Sequence, residues 1–150
     1  MMAGVSEPDT FDLQRFVEAQ DAGGTYDTAL AELRAGRKRT HWMWFVLPQV
    51  AGLGTSAMAQ RYALSGLAEA RAYLAHSVLG PRLLACARAL ADADPALAPD
   101  AATVLGPVDA AKLRSSMTLF ARAAPDEPVF AEVLDRYCGG VHDPATLSRL

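Results

Sequence analysis

The spacing of apolar residues constrains the fold of this chain more than any other feature. Several segments carry apolar side chains three and four positions apart, as on one face of an α-helix, and glycine or proline punctuates them. No segment shows the sustained alternation of apolar and polar residues that is typical of a half-buried β-strand. We therefore predict an all-α fold, a single compact helical domain with one irregular tryptophan-rich loop.

The domain is predicted to cover residues 9–150, and residues 1–8 are predicted to form a disordered tail. A chain of 150 residues can bury roughly two-thirds of its unfolded surface, enough for one core. Helices are predicted from about residue 11 to the glycine pair at 23–24, over 26–35, 67–75, 81–93, 101–105, 110–123 and 128–137, and after 143. The predicted N-caps are Asp9 or Thr10, then Thr25, Ser65, Asp109 and Asp143.

Composition excludes several classes of protein. The net charge of −3 argues against a broad nucleic-acid binder, and no apolar run approaches the ~20 residues that span a bilayer. The polar first ten residues do not form a signal peptide. Cys86 and Cys138 lie too far apart for paired zinc ligands, and Cys86 falls in an apolar run that predicts a buried thiol. We expect a cytoplasmic protein without metal or cofactor, of undetermined oligomeric state.

Both tryptophans of the chain lie in one short run, Trp42 and Trp44, directly after His41 and a basic cluster at 37–39. The surrounding stretch 37–66 contains Pro48 and three glycines, with short helical segments expected only around 41–47 and 56–63. Irregular segments of this length in compact domains are often functional. The two indoles form either a core anchor or the wall of a ligand pocket, and the pattern alone does not decide between them.

The helix predicted over 110–123 is the second informative segment. An apolar stripe along it is expected to face the core, and a polar row lies beside that stripe. This row could line a partly buried pocket, or its hydroxyls could bond to the preceding helical turn while the lysine reaches water. The stripe consists of Leu113, Met117, Phe120 and Ala124, and the polar residues are Lys112, Ser115, Ser116 and Thr118.

Few residues show a pattern that indicates catalysis. His41 could act as a base or a hydrogen-bond donor, and Asp109 could assist acid–base chemistry, although helix capping would also explain Asp109. The chain has no Gly-x-Ser-x-Gly nucleophile motif, and its three histidines lack metal-ligand spacing. Gly52-Leu53-Gly54 is interpreted as a tight turn, since neither the rest of a dinucleotide fingerprint nor a preceding strand accompanies it.

These segments resemble the family known as domain of unknown function 1810. The resemblance extends from about residue 11 to residue 150 and implies a compact, mainly helical single domain found in bacteria. The family has no settled activity, and the label calpastatin that some members carry does not fit an apolar helical chain, because calpastatins are disordered inhibitors. The matching blocks are His41–Phe45 with Pro48-Gln49, Gly52–Gly54 with Ser56, Tyr62–Leu64, Glu69–His76, Leu79–Leu83, Asp109–Phe120 and Asp143–Leu147.

The leading functional hypothesis is a pocket for a small anionic ligand, nucleotide-like or a sugar phosphate, where the 37–56 loop meets the 110–123 helix. Cations would hold the anionic group, the indoles would stack on a planar or sugar-like part, and polar side chains would orient it. If the protein is an enzyme, hydrolysis of an N-glycosidic or phosphate bond assisted by His41 or Asp109 is the expected reaction. The predicted binding residues are Arg39, Trp42, Trp44, Gln49, Lys112, Arg114, Ser115 and Ser116, with His41 orienting the ligand.

The alternative is a non-catalytic module that binds a protein partner through the tryptophan-rich loop, because tryptophan and arginine dominate protein interfaces. Indoles that line a concave pocket near Lys112 would favour the ligand, whereas indoles on a flat exposed patch would favour a partner. In a third case, both Trp42 and Trp44 belong to the core and the site lies elsewhere.

Overall fold

The computed structural model describes residues 9–150, and the tail predicted at 1–8 lies outside these residues. The described residues form a compact fold of α-helices without a β-strand, which confirms the all-α prediction. A 3-10 turn at Ala22–Gly24 joins the first two helices. In chain order the helices are α1 (Gln14–Asp21), α2 (Thr25–Ala35), α3 (Met43–Val46), α4 (Ala57–Arg61), α5 (Leu67–Ala75), α6 (Leu79–Asp92), α7 (Ala101–Leu105), α8 (Pro107–Ala123), α9 (Pro128–Cys138) and α10 (Pro144–Leu147).

Helix α8 occupies the centre of the fold and packs against α5, α7, α9 and α10. The predicted stripe explains this position, because Leu113, Met117 and Phe120 are all fully buried. Helix α6 packs against α2, α5 and α9, and α1 packs against α2 and α3. None of the helices within residues 9–150 combines the length and the apolar character needed to cross a membrane. Cys86 lies in the core as predicted, and burial raises the pKa of its thiol to about 12.

Aromatic rings connect the tryptophan-rich segment to the centre of the core. Phe16 of α1 contacts Tyr62 with ring centroids 5.6 Å apart and Tyr73 with centroids 5.1 Å apart. Tyr73 continues the series to Phe120 of α8 at 5.6 Å, and Phe45 of α3 contacts Tyr62 at 5.3 Å. Tilted and edge-to-face pairs at these distances add stabilisation beyond the buried area. Helix α3 is therefore connected to α1, α5 and α8 through a series of tilted and edge-to-face ring contacts.

The stretch between α2 and α5 is mostly irregular, as predicted, and it contains the two expected short helices, α3 and α4. An isolated parallel bridge joins Val50 to Leu64, with the Ala51 N–H donating to the Leu64 carbonyl at 2.7 Å. Gln20 of α1 also holds this stretch, since its Nε2 donates to the Phe45 carbonyl at 2.8 Å. The irregular backbone is thus hydrogen-bonded to its surroundings.

Several predicted helix starts need correction. Helix α1 begins at Gln14 and not near residue 11, and Leu13 occupies its N-cap position in place of Asp9 or Thr10. Asp9 still accepts the backbone N–H groups of Leu13 and Gln14 from before the helix. Asp143 caps α10 as predicted by accepting the Thr146 N–H at 3.2 Å. In contrast, α2 begins at Thr25 itself after Gly24, whose left-handed backbone starts the helix without a side-chain cap. For α5, the N-cap is the glycine after Ser65, and the Glu69 carboxylate accepts the Ser65 N–H at 2.8 Å.

Helix α8 begins one turn earlier than predicted, and this changes the role of Asp109. Pro107 occupies the first helical position after Gly106, where proline needs no N–H and its fixed φ suits the helix. Asp109 therefore lies within the first turn and does not cap the helix. Its carboxylate is available for the ion pairs described below.

Helix α6 begins at Leu79, before the proline that was expected to open it. Gly80 is buried within its first turn, where a Cβ atom would lie only 2.1 Å from the Leu74 carbonyl oxygen. The glycine therefore permits the close approach of α5 to the start of α6.

Candidate ligand-binding cleft beside Trp44

A single carboxylate organises the approach to the tryptophan-rich segment. Glu32 of α2 is buried, and its Oε1 accepts the backbone N–H groups of Arg39 at 2.9 Å and Thr40 at 3.1 Å. The same oxygen accepts the indole N–H of Trp42 at 2.9 Å, while Oε2 accepts the Thr40 hydroxyl at 2.8 Å. Burial raises the pKa of Glu32, but these hydrogen bonds outweigh burial and hold the pKa below its ordinary value.

The two tryptophans have different environments. Trp42 is fully buried, its N–H is bonded to Glu32, and the ammonium group of Lys38 lies 5.1 Å from its ring centroid. Trp42 is therefore a core anchor, and the prediction that it stacks on a ligand does not agree with its position. Trp44 is only partly buried, so the third case, in which both indoles belong to the core, is also wrong.

Trp44 forms part of the wall of a cleft of about 200 Å³. Gln49 lines the same cleft, as predicted for a polar group that orients a ligand. The ammonium group of Lys112 lies 5.3 Å from the centroid of the Trp44 ring, within the range of a cation–π contact. The remaining lining residues are Val50, Ala51, Gly52, Gly54, Ala59, Gln60, Tyr62 and Ala63.

Two lysines share one carboxylate next to the indoles. Lys38 Nζ lies 3.0 Å from Asp109 Oδ2, and Lys112 Nζ lies 3.5 Å from Asp109 Oδ1. The exposed fractions of the side chains are 8% for Lys38, 18% for Asp109 and 26% for Lys112. Two ammonium groups paired with one carboxylate leave one positive charge without a counter-charge in the cluster. Lys112 is the more exposed of the two lysines and carries that charge towards solvent.

The structure does not bring the two predicted arginines to this cleft. Arg39 is exposed and lines a separate cleft with Arg37 and Leu97. Arg114 lies two positions after Lys112, and two positions rotate a side chain by roughly 200° around an α-helix. Arg114 therefore points away from Lys112 and lines a third cleft, described below. The predicted trio of cations around one anionic group is wrong in this respect.

Two of the three hydroxyl side chains predicted on α8 join this helix to α10. The Ser115 hydroxyl donates to Asp143 Oδ2 at 2.8 Å, and the Thr118 hydroxyl accepts the Asp143 N–H at 2.9 Å, so both join α8 to α10. Ser116 is fully buried, and its hydroxyl has no hydrogen-bond partner among residues 9–150. Neither of the predicted binding serines lines the Trp44 cleft.

His41 is exposed, and within the described part of the chain it makes no hydrogen bond to an acid. Both oxygens of the other predicted catalytic residue, Asp109, are engaged by lysines. Over residues 9–150 there is no group of three or more His, Cys, Asp or Glu side chains that could hold a metal ion. Trp44 and Gln49 therefore line the cleft, and Lys112 contacts the Trp44 ring without itself lining the cleft, so the cleft has an aromatic wall and a neighbouring cation but no evident base.

Sequence reasoning missed three residues that shape this region. Glu32 stands beside Leu33 on the buried face of α2, and a carboxylate at such a position requires partners. The sequence shows Lys38 only as one member of the basic cluster 37–39. Its contact with Trp42 depends on the path of the backbone between residues 38 and 42, which the sequence does not specify. Tyr62 belongs to a block that the resemblance highlighted, and it lines the cleft.

Comparisons with known proteins agree with the resemblance inferred from the motif blocks. A family model described as "Protein of unknown function (DUF1810)" matches residues 10–150. The crystal structure of the conserved hypothetical protein Rv1873 from Mycobacterium tuberculosis is similar, with 48% sequence identity over 95% of this chain and 98% of that chain, and a TM-score of 0.89. No curated protein matches the chain. The chain therefore belongs to the DUF1810 family of proteins of unknown function.

Proposed function

We propose that the protein binds a small ligand that carries one anionic group, with the body of the ligand in the Trp44 cleft and the anionic group beside Lys112. The observation that carries this proposal is the position of Lys112 Nζ, 5.3 Å from the centroid of an indole that also forms the cleft wall. Aromatic walls with a few polar groups and a cation are the usual composition of small-molecule sites.

The charge distribution supports an anionic ligand. Asp109 neutralises one of the two lysines that contact it, and the second positive charge lies on a side chain that solvent reaches. Lys38 is held in place by both Asp109 and the Trp42 ring. An anion next to Lys112 would complete a cluster of two cations and two anions, in surroundings where partial burial strengthens each pair.

The size of the cleft limits the ligand. A volume of about 200 Å³ is smaller than the pockets that usually enclose drug-sized molecules. A sugar phosphate, or one part of a nucleotide, suits this volume better than a whole dinucleotide. The amides of Gln49 and Gln60 line the cleft and can both donate and accept hydrogen bonds to a sugar or a base.

Binding without hydrolysis is the form that we propose. A general base must reach the proton that it removes, and both Asp109 oxygens are already paired with lysine ammonium groups. His41 is exposed and does not line the cleft. Hydrolysis of an N-glycosidic or phosphate bond stays a prediction without a supporting contact.

A protein-interaction module fits the loop less well. Trp42 is fully buried and cannot anchor a partner, and the partly buried Trp44 lines a concave cleft. Interface anchors are aromatic or arginine side chains that a partner can enclose, and only one indole of the pair is accessible. The ligand is therefore the stronger of the two hypotheses.

Thermal unfolding tests the proposal with ribose 5-phosphate, glucose 6-phosphate and adenosine monophosphate, and with adenosine as an uncharged match. A ligand at a hundred times its dissociation constant stabilises the folded state by about 2.7 kcal/mol. For a domain of this size, that corresponds to a rise in Tm of about 5–10 °C. We expect at least one phosphate, and not adenosine, to produce such a rise.

Lys112→Met removes the charge and keeps the apolar stem, so the rise in Tm should be lost. Arg122→Met on the same helix is the matched control, because Arg122 is exposed and is distant from the cleft lining. The proposal fails if no phosphate raises the Tm, or if Lys112→Met responds to phosphates as fully as Arg122→Met.

A further inference from the structure

The third cleft, which Arg114 lines, lies between α7, α8 and α9 and has a different chemical character from the Trp44 cleft. Its volume is about 300 Å³, and Arg114 is its only basic residue. Alanine methyl groups from α7 and α8 form much of the wall, with Tyr137 and Cys138 of α9 on the other side. The alanines are Ala101, Ala102, Ala110 and Ala111, and Asp100 completes the lining.

Arg114 lacks the partners that the other partly buried arginines have. Arg136, for example, donates to the carbonyls of Leu90 and Ala91 at 3.0 Å each. None of the ion pairs within residues 9–150 includes Arg114, whose single hydrogen bond is a long one of 3.5 Å from Nη2 to the Cys138 carbonyl. Its Nε is buried and has no acceptor among these residues.

The thiol of Cys138 contacts the Arg114 guanidinium but is a poor substitute for the missing acceptor. Burial raises the pKa of Cys138, and the adjacent guanidinium of Arg114 only partly offsets this effect. The thiol therefore stays protonated near neutral pH and is a weak acceptor. A guanidinium presents its donors in a planar fork that matches a carboxylate, so an acceptor entering the cleft is the partner that Arg114 lacks.

We propose that this cleft binds a small monocarboxylate with an apolar body. The carboxylate accepts from Arg114, and the apolar body contacts the alanine methyl groups and the Tyr137 ring. Asp100 limits the charge of the ligand to one. Its carboxylate accepts the Thr103 N–H at 2.7 Å, and this hydrogen bond lowers the pKa of Asp100, so a fixed negative charge lies in the same wall and disfavours a dianion such as phosphate.

This site is separate from the Trp44 cleft and does not depend on the function proposed there. The probes are hexanoate, hexanamide as an uncharged molecule of the same length, and inorganic phosphate. Titration calorimetry and amide chemical shifts report the binding. We expect saturable binding of hexanoate with shifts in α7, α8 and α9, and weaker binding of both other probes.

Two variants test the assignment in different ways. Arg114→Gln should weaken hexanoate binding about ten- to hundredfold, the loss expected for one charge-assisted interaction, whereas the control Arg122→Gln should not. Ala111→Leu keeps Arg114 and fills the cleft from an exposed helical position, so it should abolish binding even if Arg114→Gln does not fold. Lys112→Met should bind hexanoate as the natural chain does, which separates this site from the Trp44 cleft.

The proposal is overturned by any of four results. The first is that hexanoate shows no saturable binding, and the second is that Ala111→Leu or folded Arg114→Gln binds hexanoate as tightly as the natural chain. The third is that hexanamide binds as tightly as hexanoate, and the fourth is that phosphate does so.

Discussion

Replacing Glu32 by glutamine should destabilise the fold strongly and in a pH-dependent way. The buried Glu32 carboxylate accepts four hydrogen bonds from residues 39–42, which otherwise form an irregular connection between α2 and α3. Glutamine keeps the shape of the side chain. Its one carbonyl oxygen can still accept from the three donors that share Oε1 in the natural chain. It removes the negative charge and replaces the second acceptor by a donor.

The magnitude follows from the difference between charged and neutral hydrogen bonds. A bond to a charged group contributes about 1.5–3 kcal/mol, whereas a bond between neutral groups contributes about 0.5–1.5 kcal/mol. Because the four bonds share one carboxylate, their losses do not add. We expect Glu32→Gln to lower the free energy of unfolding by about 2–4 kcal/mol, a large part of the total stability of a small domain.

Urea unfolding at a series of pH values measures this effect. The folded-state pKa of Glu32 lies below its ordinary value of 4.5, so its stabilisation is complete above that value and is lost as pH falls through the folded pKa. The difference between the natural chain and Glu32→Gln should therefore be full near pH 7. It should shrink steadily below about pH 4.

Glu18→Gln is the matched control, because Glu18 is exposed on α1 and its side chain makes no hydrogen bond within residues 9–150. Its effect should stay within about 0.5 kcal/mol. The reasoning is refuted if Glu32→Gln costs no more than Glu18→Gln, or if its cost is the same at pH 3 as at pH 7.

Two further predictions concern helix packing. Gly80→Ala should lower the free energy of unfolding by about 3 kcal/mol in the same assay, because the added Cβ meets the Leu74 carbonyl at 2.1 Å. Gly66→Ala has open space and should cost only about 0.5–1 kcal/mol, the loss expected when alanine replaces glycine at the N-cap of α5. Equal effects of the two substitutions would contradict this explanation. Asp143→Asn should speed hydrogen exchange in α10 and lower the free energy of unfolding by about 1–2 kcal/mol above about pH 4. Burial raises the pKa of Asp143, but hydrogen bonds from Thr146 and Ser115 outweigh burial and hold the pKa below its ordinary value. Unchanged exchange in α10 would count against that role.

The helical architecture could be predicted because its determinants are local. Apolar spacing identified the buried face of α8, and glycine and proline marked most helix ends. The predicted start of α8 is one turn late because it takes Asp109 as the cap. Gly106 followed by Pro107 is a local start signal that this prediction did not use.

The candidate site could be predicted only in part. The proximity of the tryptophan-rich segment to Lys112 was predicted and is present. Helical geometry alone could have separated Lys112 from Arg114, since two positions on a helix face nearly opposite directions. The different fates of Trp42 and Trp44 could not be predicted, because burial of Trp42 depends on the carboxylate that Glu32 supplies from another helix.

The basic cluster at 37–39 has a consequence for how this region tolerates changes in length. Lys38 turns inward to Asp109, while Arg37 and Arg39 on either side are exposed. Two hydrogen bonds hold the backbone here. The Lys38 N–H donates to the Val104 carbonyl, and the Arg39 N–H donates to the Glu32 carboxylate. Inserting or deleting one residue would place an arginine where a lysine now lies against an indole. This connection should therefore accept substitutions of its outward side chains far more readily than any change in its number of residues.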